Sequence, residues 1–374
     1  MVFPCPEIRQ LPNTAFAIPL GLGAQSSMWK ALSNAPWARD HVSDVVNKML
    51  WFASLTAAGL IAPSYLLKCL KYPKLVRFEL NHPVRGKFVN LVQLLLLVLS
   101  LSCPNEYAGT EQGWRRTIFM LAFVCHILSA LQEMNGWMFS PTAHLGYARI
   151  PYLLTPIGWF LLCVVGQQAR IEVEWGIDLE AMCFGIGCFT FGVASVSIIQ
   201  NFHGEGKADQ GSAGLLLMVA SPALAAISLA GFAGSQSQTF GGPATASLGV
   251  AVFLLMLMLK VSHKMAMPPP FMGVYWAYTL APSVTAVAGI NYATTQNSVP
   301  ARVLAVALVT LASCLLLAVA SRMTYHEFEV LTGRGTWGDV LYEGFRAHVE
   351  KQNESEKASK MKEVEPEAEQ ASSV

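Results

Sequence analysis

Charge is what this 374-residue sequence has least of: Asp, Glu, Lys and Arg make up 13% of it, against 53% hydrophobic residues. Soluble domains carry about 25% charge, so the shortage excludes a water-soluble fold and leaves an all-α polytopic membrane protein. Metal-ligand spacings such as His-Glu-x-x-His are missing, and so is a Gly-rich phosphate loop. Eight cysteines (Cys5, Cys69, Cys103, Cys125, Cys163, Cys183, Cys188, Cys314) fall mostly in apolar runs with no Cys-x-x-Cys pair, and read as small buried hydrophobes. No cofactor is implied. The net charge of +1 is unevenly spread and carries no signal for a nucleic-acid partner. Residues 1–14 contain Pro4, Pro6, Glu7, Arg9 and Pro12 in place of the basic-then-apolar order of a signal peptide. The first span is therefore expected to serve as an uncleaved targeting signal.

Ionisable groups inside the apolar runs are scarce as well: His126, Glu133, His144, Arg149 and Lys260. Such groups are costly in lipid and mark function by default. Here no span pairs two carboxylates or sets an acid beside a histidine, so Glu133 reads as a structural cap, His126 as a core histidine, and proton pumping has little machinery. His82 and Arg85 stand in a basic connector beside Glu79 alone, which assembles no hydrolase or transferase site. An enzyme is not expected.

What is present is a series of ten apolar segments of bilayer-spanning length, near 15–33, 48–68, 87–104, 116–138, 144–166, 180–202, 212–233, 244–262, 268–293 and 301–322. They divide the chain into a short cytoplasmic N-terminus (1–14), a ten-helix transmembrane domain (15–323), an amphipathic cytoplasmic helix (324–349) and a disordered charged tail (350–374). Lys and Arg concentrate after the even-numbered spans, in Lys68, Lys71, Lys74, Arg77, Arg85 and Lys87 above all. By the positive-inside rule both termini are cytoplasmic, with the plasma membrane the default location and an internal membrane the alternative.

The spans alternate in character. Odd ones carry Gly, Pro and hydroxyl residues: Pro19, Gly21 and Gly23 in the first, Pro151 and Pro156 in the fifth, Ser221-Pro222 in the seventh, Thr279, Pro282 and Ser283 in the ninth. Five helical hairpins are expected, with kinked odd helices around a central pore and plainer even helices outside. The third span, Phe88 to Leu101, lacks such a proline and departs from the pattern. The ninth is the most informative. Trp276-Ala-Tyr-Thr-Leu-Ala-Pro282 lies in an uncharged run from Met265 to Ala293, and proline at membrane depth is tolerated where protein or a wet cavity receives the freed carbonyl. A neutral pore with cation-rich mouths suits anions, and the basic connector 68–87, with His82 and Arg85, would form the cytoplasmic mouth.

These residues resemble a known family. Phe16-Ala-Ile-Pro-Leu-Gly-Leu-Gly-Ala-Gln-Ser-Ser-Met-Trp29 is similar to the opening span of plant slow-type (S-type, guard-cell) anion channels. Tyr65-Leu-Leu-Lys-Cys-Leu70, His82-Pro-Val-Arg85, Ser140-Pro-Thr-Ala-His-Leu145, Ala220-Ser-Pro-Ala223, Trp276-Ala-Tyr-Thr279 and Asn291-Tyr-Ala293 extend the likeness in order from about 15 to 323. The resemblance implies the ten-helix fold shared with bacterial tellurite-resistance and dicarboxylate transporters, a homotrimer with one pore per subunit, and passive conduction of chloride, nitrate, malate or bicarbonate. A carrier of dicarboxylate or sulfite on the same fold, and a non-conducting scaffold or receptor, stay open as alternatives.

The resemblance also implies a phenylalanine plug after the Tyr-Thr of the ninth span. Here that position is Leu280, with the next proline displaced to Pro282. Trp276, Leu280, Ser283 and Val287 share one helical face, so Leu280 and Trp276 are the expected gate and Pro19, Gly21, Gly23, Pro222, Thr279 and Ser283 the expected pore lining. The family's long N-terminal region has no counterpart in residues 1–14. Kinase gating through that segment is therefore not expected, and the tail serines Ser355, Ser359, Ser372 and Ser373 are its candidate substitutes, beside the reading that they are simply solvated.

Overall fold

The computed structural model describes residues 11–81, 85–108, 113–138, 150–169, 176–204, 215–232, 240–260 and 273–332, and among them there is no strand. Ten helices occupy the ten apolar segments: α1 (Ala17–Asn34), α2 (Val45–Lys71), α3 (Asn90–Ser102), α4 (Gly113–Met138), α5 (Leu154–Ala169), α6 (Gly176–Gly204), α7 (Leu217–Phe232), α8 (Gly242–Lys260), α9 (Ala277–Gln296) and α10 (Val299–Leu331). A short helix, Pro73–Asn81, follows α2. His82, the tail from 333 onward and its four serines lie outside the described residues, as does the side chain of Arg85. No break marks the expected boundary at 323; α10 runs through it to Leu331.

Each odd helix packs on the even helix that follows it, giving five consecutive hairpins. The odd helices also touch one another in a closed cycle: α1 on α3, α3 on α5, α5 on α7, α7 on α9, and α9 back on α1. This ring explains the alternation of sequence character. The five even helices are each long and apolar enough to cross a membrane, and they carry exposed Met49, Phe52, Leu128, Phe189, Phe253 and Leu317. Only 6% of the apolar stretch of α2 is buried inside the protein, so the rest of that surface needs lipid. In contrast, α5 and α7 are buried along nearly their whole length, at 16 residues each. The protein is an all-α integral membrane protein whose inner helices are shielded from lipid by the outer ones.

α3 belongs to the inner ring although it lacks the proline and glycine pattern, so kinks are not what defines the ring. Two of the expected kinks are absent for a simple reason. Pro19 and Pro156 each stand third in their helices, where the missing N–H would have no partner inside the helix. Pro222 and Pro282 do sit inside α7 and α9, yet both helices continue past them. The α9–α10 hairpin closes through Asn297, whose φ of 47° places it in the left-handed region and whose N–H caps the carbonyl of Ala293 at 3.0 Å.

Candidate functional site

All five inner helices open on a 3-10 turn or residue pair: Asn13–Phe16, Arg85–Val89, Ile150–Leu153, residues 215–216 and Gly273–Trp276. The side chains that follow these turns meet. Ala17 and Leu20 of α1, Phe88 and Leu91 at the start of α3, Leu154 of α5, Leu217 of α7, and Trp276 and Leu280 at the start of α9 enclose one narrow cavity. Its volume is about 10 Å³, at the lower limit for a single water. Leu154 and Leu280 are each 1% exposed. The result is an apolar constriction to which every helix of the ring contributes, at its N-terminal end. The positive ends of five helix dipoles thus gather at one level, so the constriction is apolar at its surface and electropositive in its surroundings. Anions are drawn to such a place, while water is expelled from it.

Of the residues expected from sequence, Trp276 and Leu280 wall this cavity, together with Phe88, which sequence reasoning did not single out. None of Pro19, Gly21, Gly23, Pro222, Thr279 or Ser283 walls it, and each has a partner elsewhere. The Pro19 carbonyl accepts the Ser54 hydroxyl of α2 at 2.6 Å, and the Pro222 carbonyl accepts that of Ser247 on α8 at 2.9 Å. A Cβ on Gly23 would press on Val98 of α3 at 2.9 Å and Ser54 at 3.2 Å. One on Gly21 would collide with the Thr279 hydroxyl and come within 2.9 Å of the Trp276 ring. Small residues here let the ring helices approach one another. The hydroxyls of Thr279 and Ser283 donate to carbonyls of their own helix, Trp276 at 2.7 Å and Thr279 respectively. Their protons are committed to the backbone.

A polar network joins α3, α4 and α5. Glu133 Oε2 accepts the Thr155 hydroxyl at 2.5 Å, and the Thr155 carbonyl lies 3.0 Å from His126 Nε2. His126 Nδ1 is 3.2 Å from Gln93 Oε1, and Gln93 Nε2 donates to Asn90 Oδ1 and the Ser129 hydroxyl, both at 3.0 Å. Glu133 and His126 do not touch within their own span, and are joined only through Thr155 of α5. His126 and Glu133 are seven residues apart on α4, two helical turns, and so share a face; that spacing was the available signal. The link between them runs through α5 and is invisible within one span.

The basic connector is less free than its composition suggests. Lys68 is 1% exposed; its ammonium donates to Glu79 Oε2 at 2.8 Å and to the Leu11 carbonyl at 2.7 Å. Glu79 Oε1 in turn accepts the Asn13 backbone N–H at 2.8 Å. Lys68 thus fastens the chain ahead of α1 to the Pro73–Asn81 helix and offers no charge to a mouth. Lys87, beside Phe88, is 22% exposed and stands 4.0 Å from Glu133 Oε1, a looser pairing than that of Lys68. Among the described residues no group of three or more His, Cys, Asp or Glu could hold a metal ion.

The fold and its apolar constriction define an all-α integral membrane protein built as a ring of five helical hairpins, and sequence comparison gives its family. Residues 10–324 match the SLAC1 family model, described as voltage-dependent anion channel, and the chain belongs to that family. It is 26% identical over 326 residues to the S-type anion channel SLAH3 of Arabidopsis thaliana, covering 86% of this chain and 49% of that protein. It is 23% identical over 327 residues to the guard cell S-type anion channel SLAC1 and 24% over 329 residues to the S-type anion channel SLAH2, both of the same plant. These alignments cover 86% of this chain and 57% and 60% of the relatives. The chain thus spans between about half and three-fifths of the length of these relatives.

Proposed function

We propose that this protein is an anion channel that passively conducts chloride and nitrate, with bicarbonate and malate next in rank, through the axis of the inner ring. The observation that carries the reading is the constriction: apolar side chains from five helices, at five electropositive N-termini, with no fixed carboxylate among its walls. Family membership supports the same reading. Closure is by dewetting, and conduction requires Leu280, Trp276 and Phe88 to move apart far enough to admit a partly hydrated ion. The orientation of Lys and Arg supports a cytoplasmic mouth at these N-termini, in the plasma membrane. The resemblance to plant channels supports a homotrimer with one pore per protomer, with kinase control acting on the tail serines.

Voltage clamp of the purified protein in planar bilayers, under a transmembrane gradient of chloride, nitrate, bicarbonate or malate salts in turn, tests this. Resolvable unitary currents that reverse at the anion potential support it. Saturating uptake into vesicles without unitary current would point instead to a carrier, and an axis closed under every stimulus to a scaffold or receptor.

A further inference from the structure

Lys87 directly precedes Phe88, a wall of the constriction, without lining the cavity itself. Its ammonium stands 4.0 Å from Glu133 Oε1 and 5.0 Å from the centre of the Tyr152 ring, two residues before Leu154, another wall of the cavity. Neither is a direct hydrogen bond, and among the described residues Nζ has no acceptor within bonding distance. Glu133 is 4% exposed; its Oε2 is taken by Thr155, while Oε1 is buried without a hydrogen-bond partner. The pair is therefore loose on both sides: a cation with its donors open beside an apolar neck, and a buried carboxylate that attracts without binding it. An ammonium held this way lacks one close acceptor, and an anion arriving at the neck supplies it.

We propose that Lys87 is the residue that receives the anion at the mouth of the constriction, and that Glu133 sets the strength of this site by sharing the lysine's charge. Glu133 acts through Lys87 and is a positioning residue. This rests on the conduction reading for its purpose, though the binding itself does not require conduction.

The sign of the effect separates this role from a merely structural pair. If Lys87 and Glu133 only stabilised the fold, removing either would harm the protein in the same direction. If Lys87 holds the anion, Lys87→Gln weakens chloride binding and Glu133→Gln strengthens it. The test titrates the purified full chain with chloride against gluconate at constant ionic strength, reading the chloride-dependent rise in melting temperature, and repeats the series as unitary conductance in bilayers. Lys87→Gln is expected to raise the half-saturating chloride concentration roughly fivefold, the ratio one partly exposed charge pair is worth. Glu133→Gln should lower it by a similar factor, and Lys87→Arg should stay near the wild type. Should Glu133→Gln not fold, Glu133→Asp withdraws the carboxylate and gives a smaller shift of the same sign. Shifts of equal sign in both variants, or none in Lys87→Gln, would overturn the proposal. Chloride-dependent stability without current would overturn conduction and leave this site standing; no chloride dependence in either readout would sink both.

Discussion

At the scale of single residues, Leu280 and Trp276 stand one helical turn apart on the same wall of a cavity about the size of one water. Leu280→Ala enlarges that cavity by most of a side chain, and an apolar neck wide enough to hold water conducts. Resting chloride current in bilayers should therefore rise in Leu280→Ala, with a stability loss of about 3 kcal/mol by thermal unfolding in detergent. Phe88→Ala should act in the same direction; a resting current unchanged in both variants would mean that the neck is elsewhere. Gly21 carries a different load. Any side chain there meets Thr279 and the Trp276 ring, so Gly21→Val should separate α1 from α9 and lower the melting temperature by the equivalent of about 1–3 kcal/mol. A further residue-scale expectation concerns Lys68 and Glu79, at 1% and 0% exposure. Lys68→Met alone strands a buried carboxylate and should cost about 3–5 kcal/mol, whereas the pair Lys68→Met with Glu79→Leu should recover much of it. Unfolding curves of the two variants, side by side, decide.

Elements show how far the sequence could be read. All ten helices were legible as apolar segments, and the hairpin pairing as an alternation between spans bearing Pro, Gly and hydroxyls and plainer ones. The reason assigned to that alternation was only partly correct. Pro19 and Pro156 stand in first turns and kink nothing, while α3 joins the ring without any such residue. What separates inner from outer helices is contact with lipid, which rewards long uninterrupted apolar surface and leaves shielded helices free to vary. The neck was legible in part. Trp276 and Leu280 stood out through the resemblance to channels with an aromatic plug. Leu20, Leu91, Leu154 and Leu217 did not, because a leucine in an apolar span looks the same whether it faces lipid, a neighbouring helix or the axis. Helix ends offer one more test. Asn297 holds a left-handed conformation that costs a β-branched residue about 1–2 kcal/mol. Asn297→Gly should leave the melting temperature nearly unchanged, and Asn297→Val should lower it.

For the molecule as a whole, the division between ring and jacket has a consequence for how the chain enters a membrane at all. Long, strongly apolar helices partition from the translocon into lipid unaided, and among the described residues those are the five outer ones. α1, with Gln25, Ser26 and Ser27, and α9, with Thr279, Ser283 and Thr285, fall short of that threshold, yet each is synthesised before the outer helix it pairs with. Such a helix must wait at the translocon and cross as the passenger of its successor. The first span thus falls short of the lone targeting signal expected of it: a chain truncated after Asn34 should remain extractable by alkaline carbonate, and one extended to Lys71 should resist it. In assembly, the unit is the hairpin.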